Sequence, residues 1–236
     1  MNSTALVPLT ICLLVTLTIL MPIVGVWDYR RLLRRLREGR TDARLKAYVW
    51  TIVLQWTLAL GFLAWWLLSG GELAPLRLIP KAEGLQWLVV GVGLAILVFI
   101  LAQMIAVLRS PEKLEQVRQQ SGDLTGIAPQ SPTEERVFLL LSITAGICEE
   151  ILYRGLLMAV LAVAVGTWPA VILSTAIFGI GHADQGWKGI GKTGAAGLVM
   201  AVLAVGTGSL FIPILLHAVG DLTSGRMLGM ASRGMG

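Results

Sequence analysis

The sequence predicts an all-α membrane protein, a bundle of about seven transmembrane helices with a polar site in its interior. Of the 236 residues, 56% are hydrophobic and only 14% are charged, and the mean hydropathy is +0.77. Soluble domains contain about 25% charged residues, so this composition excludes an ordinary soluble protein. Each helical crossing needs about 20 apolar residues, which leaves room for about seven or eight spans and short loops. We therefore expect one integral membrane domain over residues 1–236.

Three long apolar runs without a charged side chain predict the first spans, at residues 5–26, 47–68 and 85–108. In the second half, glycine, proline and ionisable residues interrupt the apolar stretches. There we predict four further helices, near residues 137–165, 169–182, 193–206 and 209–224. The first 130 residues thus supply three spans with basic loops, and residues 132–225 form a second, less regular unit.

The start of the fourth helix is marked by Ser131-Pro132-Thr133-Glu134, which fits a capping box with proline at the first helical position. Ser110-Pro111-Glu112 marks another helix start in the same way. An unbroken helix over residues 132–165 would be about 51 Å long, which exceeds one bilayer. We therefore expect that its first turns protrude or that it bends near Gly146.

The basic residues predict the orientation in the membrane. Eight of the nineteen Lys and Arg residues fall between Arg30 and Lys46, and four lie in the loop 109–136, against two in the loop 69–84. Basic loops stay in the cytoplasm, so we expect the N-terminus outside, the C-terminus inside, and the short loop 183–192 inside as well. The net charge of +5 thus comes largely from basic loops that fix the orientation in the membrane. We therefore expect these basic residues to contact the lipid bilayer and not a nucleic acid.

Ionisable residues inside membrane helices are costly and by default suggest a function. They occur on three predicted helices and include the only two histidines of the chain. The three segments contain Glu149, Glu150 and Arg154; Phe178 and His182; and His217 and Asp221.

Helical spacing predicts how these side chains pair. Glu150 and Arg154 are four residues apart and can form an ion pair, which leaves Glu149 free for chemistry. His217 and Asp221 have the same spacing, so the carboxylate can orient the imidazole. Each pair could also serve only helix packing. However, the depth of each polar group can be counted from the predicted turns at the outer membrane surface, at about 1.5 Å per residue. The polar groups of all three helices then lie at overlapping depths, at or below mid-membrane.

Several other motifs are rejected. Gly186 to Thr193 matches the phosphate-binding pattern G-x-x-x-x-G-K-T, but it joins two membrane helices instead of following a strand. We expect a glycine-rich basic turn there and no bound nucleotide. The two histidines are too far apart for H-E-x-x-H, and the chain lacks a G-x-S-G motif and a second aspartate deep in a span.

The three segments, in this order on successive membrane helices, resemble the CPBP family of intramembrane proteases. This family includes the type II CAAX prenyl endopeptidases and the bacterial Abi proteins of bacteriocin processing and immunity. The resemblance covers roughly residues 132–225, which it makes the catalytic core. It implies a multi-pass endopeptidase of a bacterial or archaeal plasma membrane, with its site in the bundle interior. A membrane-associated peptide substrate, such as a prenylated CAAX peptide, follows from the same resemblance.

The resemblance also implies roles for the residues. Glu149 would activate a water that His182 holds, or His182 would stabilise the oxyanion. His217 and Asp221 would polarise the carbonyl or protonate the leaving amine, with Glu150, Arg154 and Phe178 in support. Glu149, His182, His217 and Asp221 could instead bind Zn²⁺, so the metal question stays open. The alternative is a non-proteolytic binding or bacteriocin-immunity protein that uses the same cavity.

Overall fold

The computed structural model describes residues 3–78, 83–121 and 126–233, and all regular secondary structure in these ranges is helical. The all-α class is therefore confirmed. A π-helical turn, Thr16–Leu20, joins the first two helices, and a second π-helical segment, Glu150–Leu157, lies between the sixth and seventh. The α-helices are α1 (Ser3–Val15), α2 (Met21–Arg37), α3 (Ala43–Leu68), α4 (Gln86–Leu108), α5 (Pro111–Ser121), α6 (Pro132–Glu149), α7 (Met158–Val165), α8 (Thr167–Gly181), α9 (Gly186–Thr207) and α10 (Phe211–Arg233).

Four helical stretches in the described part of the chain are long and apolar enough to cross a membrane. They are Val7–Arg37, Ala43–Leu68, Gln86–Leu108 and Ala183–Thr207, whereas Thr167–Gly181 is apolar but shorter. The first three contain most of the predicted runs 5–26, 47–68 and 85–108. These helices support an integral membrane protein, and the count of about seven spans stays a prediction.

Both predicted helix starts are present. The Ser131 hydroxyl accepts a hydrogen bond from the backbone N–H of Glu134 at 3.2 Å, and Pro132 begins α6. The Glu134 carboxylate reaches back to the backbone N–H of Gln130, one residue before the usual capping-box partner. Ser110 caps α5 through the N–H of Lys113 at 3.3 Å.

The fourth predicted helix does not break at Gly146. α6 continues through this residue, where a Cβ atom would lie 2.9 Å from the carbonyl oxygen of Ile214 on α10. Gly146 therefore permits close packing of α6 against α10. The irregular stretch is the π-helical segment that begins at Glu150. Such segments are rare and often lie at functional sites.

The expectation of a loop over residues 183–192 is wrong. After a short 3-10 turn, Ala183–Gln185, helix α9 begins at Gly186. The stretch that matches the phosphate-binding pattern is thus the first turns of a helix, and it follows helix α8 and the 3-10 turn instead of a strand. Gly186 itself has a φ of 71°, which glycine adopts without strain.

The helices enclose one main apolar core to which both halves of the chain contribute. Leu9 and Leu13 of α1 and Trp66 of α3 are buried in the same cluster as side chains of the second half, among them Leu156, Leu157, Met158, Val171, Phe178 and Met200. The stretch from α6 to α7 runs through this core. Its polar residues are therefore surrounded by other helices.

Candidate active site

The seven predicted site residues come from three places in the bundle and meet around one carboxylate. Glu149 ends α6, and Glu150 and Arg154 lie in the π-helical segment that follows. α8 contributes Phe178 and, just after its last residue, His182, and α10 contributes His217 and Asp221. Every one of the seven lies in direct contact with at least one other.

The two oxygens of Glu149 have different surroundings. Oε1 accepts a hydrogen bond of 2.7 Å from Nε2 of Gln55. Oε2 lies 3.9 Å from Nε2 of His182 and 3.7 Å from Nε2 of His217, which is too far for a direct hydrogen bond. Oε2 is buried and finds no hydrogen-bond partner in the described ranges. The carboxylate is thus held by one oxygen and presents the other to two imidazoles.

Gln55 is a site residue that the sequence reasoning missed. It lies on α3, is 6% exposed, and reaches Glu149 across the interface between α3 and α6. The available signal was that Gln55 is the only amide side chain in the apolar run 47–68. Polar side chains in such runs tend to hydrogen bond to a neighbouring helix.

The predicted ion pair between Glu150 and Arg154 is present, and it is completely buried. Nη1 of Arg154 lies 2.9 Å from Oε1 of Glu150, and both side chains are completely inaccessible. The same Oε1 is 2.9 Å from Nδ1 of His217. A carboxylate that is held by a guanidinium acts as an acceptor, so we assign the Nδ1 proton to His217 and leave Nε2 facing the site.

This arrangement corrects the predicted partner of His217. Spacing on α10 favoured Asp221 as the carboxylate that orients the ring, but Asp221 Oδ2 is 3.7 Å from Nε2 and makes no hydrogen bond to it. Glu150 holds the ring instead. Asp221 stays beside Nε2 with 45% of its side chain exposed, on the open side of the cluster.

Arg154 is fixed by two further contacts besides Glu150. Its Nη2 donates to the carbonyl oxygen of Gly197 on α9 at 3.0 Å, and its guanidinium lies 4.0 Å from the centre of the Phe178 ring. A Cβ atom at residue 197 would lie 2.8 Å from Nη2, so glycine is needed there for α9 to approach. Buried charges persist only when they are paired in this way.

Phe178 and His182, four residues apart, form one wall of the site. Nδ1 of His182 is 2.9 Å from the carbonyl oxygen of Phe178, which can only accept, so Nδ1 donates and the neutral ring carries its lone pair on Nε2. The two rings lie 4.8 Å apart, and Phe178 also meets His217 edge to face at 5.8 Å. Phe178 therefore sets the relative position of both imidazoles.

The structure gives no support to the predicted Zn²⁺ site. Within the described residues, no group of three or more His, Cys, Asp and Glu side chains is arranged to hold a metal ion. The assignment of Glu149, His182, His217 and Asp221 as zinc ligands stays a prediction from the sequence.

Comparison with known proteins identifies the segment that contains the site. The family model described as type II CAAX prenyl endopeptidase Rce1-like matches residues 133–223, less than half of the chain but all seven predicted site residues. No curated protein and no solved structure matches the chain. The family implies a peptidase that acts in a membrane. Residues 133–223 are therefore similar to the Rce1-like type II CAAX prenyl endopeptidases, and the resemblance carried by the motifs is confirmed over that part of the chain.

Proposed function

We propose that this protein is an intramembrane endopeptidase in which Glu149 activates the attacking water. The observation that carries the proposal is the buried Oε2 of Glu149, which has no hydrogen-bond partner among the described residues and faces two imidazole nitrogens at 3.7 and 3.9 Å. A general base needs a free oxygen within reach of the proton that it takes. Gln55 keeps the other oxygen occupied, so Oε2 points in one direction.

His182 is suited to hold the water beside Glu149. Its Nε2 lone pair and Glu149 Oε2 are acceptors 3.9 Å apart. If both lie about 2.8 Å from one water, they subtend about 90° at its oxygen, close to the angle between the two O–H bonds. The water would donate one proton to each acceptor, and its lone pairs would face the substrate carbonyl.

The proton balance of hydrolysis follows from these contacts. Glu149 removes a proton from the water as the oxygen attacks the carbonyl carbon, and the carbonyl becomes an oxyanion. His217, when protonated at Nε2, donates a hydrogen bond to that oxyanion, and the Asp221 carboxylate lies 3.7 Å from the same nitrogen. Glu149 then delivers its proton to the leaving amine as the peptide bond breaks.

We propose a CAAX-type or other membrane-associated peptide as substrate, reached from the cytoplasmic side. The Rce1-like family match supports this class, and the basic loops favour a cytoplasmic location for the end of the bundle where α8 ends and α9 begins. A panel of quenched peptides, with and without a farnesylated CAAX cysteine, tests the class on purified protein. We expect cleavage within the CAAX box. Folded protein that binds these peptides and cleaves none of them would instead indicate a binding or immunity protein.

Replacing Gln55 by Leu should lower kcat about 10–100-fold and leave KM nearly unchanged, since a misplacement of about 1 Å can cost about 10²-fold in rate. The variant removes the hydrogen bond that fixes Glu149 but not the substrate pocket. Steady-state kinetics on the cleaved peptide measure both constants. Gln119→Leu is the matched control, because Gln119 also donates to a glutamate, Glu115, but on the exposed face of α5. Equal kcat values for the two variants would remove Gln55 from the site.

Cleavage should persist after treatment with a metal chelator, because the proposed proton transfers and hydrogen bonds use only side chains of the protein. The measurement is the initial rate before and after chelation and dialysis, followed by addition of Zn²⁺. We expect the three rates to agree within error. Loss of activity that only Zn²⁺ restores would favour the zinc interpretation of the same four residues.

A further inference from the structure

A basic cleft lies between α2 and α3, apart from the site described above. It has an open volume of about 290 Å³ and is lined by Arg31 and Arg35 of α2 and by Lys46 and Trp50 of α3. An apolar groove of about 660 Å³ continues from it along α3 and shares Lys46 and Trp50 with the cleft. The basic cleft and the apolar groove thus form one continuous surface.

The basic cleft has an excess of positive charge. Arg31 and Arg35 are four residues apart on one face of α2 and are half-buried, opposite Lys46. No carboxylate in the described part of the chain forms an ion pair with either arginine, although Asp28 also lines the cleft. Lys46 pairs with Asp42 at 2.5 Å. The Arg31 guanidinium also lies 5.0 Å from the centre of the Trp27 ring, a stacking contact that leaves its N–H donors free. Both guanidinium groups can therefore donate to an anion, and arginine binds phosphate in a bidentate manner.

The apolar groove has the position and composition expected for a lipid chain. It follows one face of α3 through Val49, Trp50 and Val53, which are each about half-exposed. These residues belong to the candidate membrane span Ala43–Leu68. Trp50 stands where the groove meets the cleft, and tryptophan is enriched at the level of lipid headgroups. A free phosphate would occupy only the cleft, whereas a phospholipid would fill both parts.

We propose that the basic cleft and the apolar groove together bind one anionic glycerophospholipid. The phosphate headgroup lies between Arg31, Arg35 and Lys46, and one acyl chain runs along Val49, Trp50 and Val53. Basic pockets between membrane helices are a common way to select anionic lipids on the cytoplasmic side. The proposal does not depend on the peptidase mechanism, because no residue of the cleft or the groove belongs to the candidate active site.

Native mass spectrometry of the delipidated full chain tests the proposal, with titrations of phosphatidylglycerol and phosphatidylcholine. We expect one tightly bound phosphatidylglycerol and weaker binding of phosphatidylcholine. Replacing Arg31 and Arg35 together by Gln should weaken phosphatidylglycerol binding about tenfold or more, since each basic residue near an anionic surface contributes substantially. Replacing Val49 and Val53 together by Ser should weaken binding of the diacyl lipid but not of glycerol phosphate, because both side chains line the groove and neither lines the cleft.

The matched control is Arg30→Gln with Arg34→Gln. These arginines have the same spacing on the same helix, but they are exposed and do not line the cleft. Thermal melts of both double variants establish that they are folded. Equal loss of phosphatidylglycerol binding in the two double variants would overturn the proposal in favour of general surface attraction. Equal binding of phosphatidylglycerol and phosphatidylcholine by the wild type would overturn it as well.

Discussion

Glu149→Gln is expected to lower kcat for peptide cleavage by a factor of about 10²–10⁴, the usual contribution of a general base. The amide has nearly the same shape as the carboxylate and still offers an oxygen to Gln55, so the local hydrogen bond survives. What is lost is the ability of Oε2 to take a proton from the water beside His182. KM should change little. The measurement is the steady-state rate on a peptide that the wild type cleaves, together with a thermal melt.

Glu135→Gln is the matched control for this prediction. Glu135 lies on the same helix α6, but its carboxylate is half-exposed and pairs with Arg233 on α10. We expect its kcat to stay within about twofold of the wild type, because exposed ion pairs contribute little. A Glu149→Gln protein as active as Glu135→Gln would exclude Glu149 as the base.

Arg154→Met is expected to reduce the free energy of unfolding by about 3–5 kcal/mol, the cost of leaving a buried partner charge unpaired. Methionine fills much of the volume but cannot neutralise Glu150, which is completely buried. The variant also removes the donor to the Gly197 carbonyl oxygen. Since Glu150 holds His217, the variant should lose activity even at temperatures where it is folded. Denaturant unfolding in mild detergent measures the stability.

Arg233→Met makes the same chemical change on an exposed ion pair. Arg233 binds Glu135 at 2.7 Å, but both side chains are more than a third exposed. We expect a change of about 0–1 kcal/mol in the same unfolding experiment. Similar destabilisation by the two variants would show that burial of the Arg154 pair does not determine the loss in free energy of unfolding. A fully stable Arg154→Met protein would contradict the account of the buried pair directly.

The sequence predicted the site residues well because ionisable side chains are rare within apolar helices. The rarity of ionisable residues inside the spans singled out the six ionisable members of the cluster, and i,i+4 spacing correctly paired Glu150 with Arg154. The helix starts at Ser110-Pro111 and Ser131-Pro132 were also predicted correctly, because capping is a local interaction.

Contacts between helices distant in sequence were not predictable in this way. The bond from Gln55 to Glu149 joins residues 94 positions apart, and that from Glu150 to His217 joins residues 67 positions apart. Spacing along α10 therefore suggested the local partner Asp221, whereas packing of α10 against α6 brings Glu150, the residue that follows α6, closer to His217. The helix that begins at Gly186 was missed because its glycines favour a turn in the sequence, while packing against α8 keeps them helical.

The most direct test of the central claim is hydrolysis of a farnesylated CAAX peptide in ¹⁸O-labelled water by purified wild type and Glu149→Gln. Mass spectrometry of the product reports both the bond that is cut and the origin of the new carboxylate oxygen. The account predicts a labelled product from the wild type and at least about 10² times less from the variant. Labelled product formed by Glu149→Gln at the wild-type rate would contradict it.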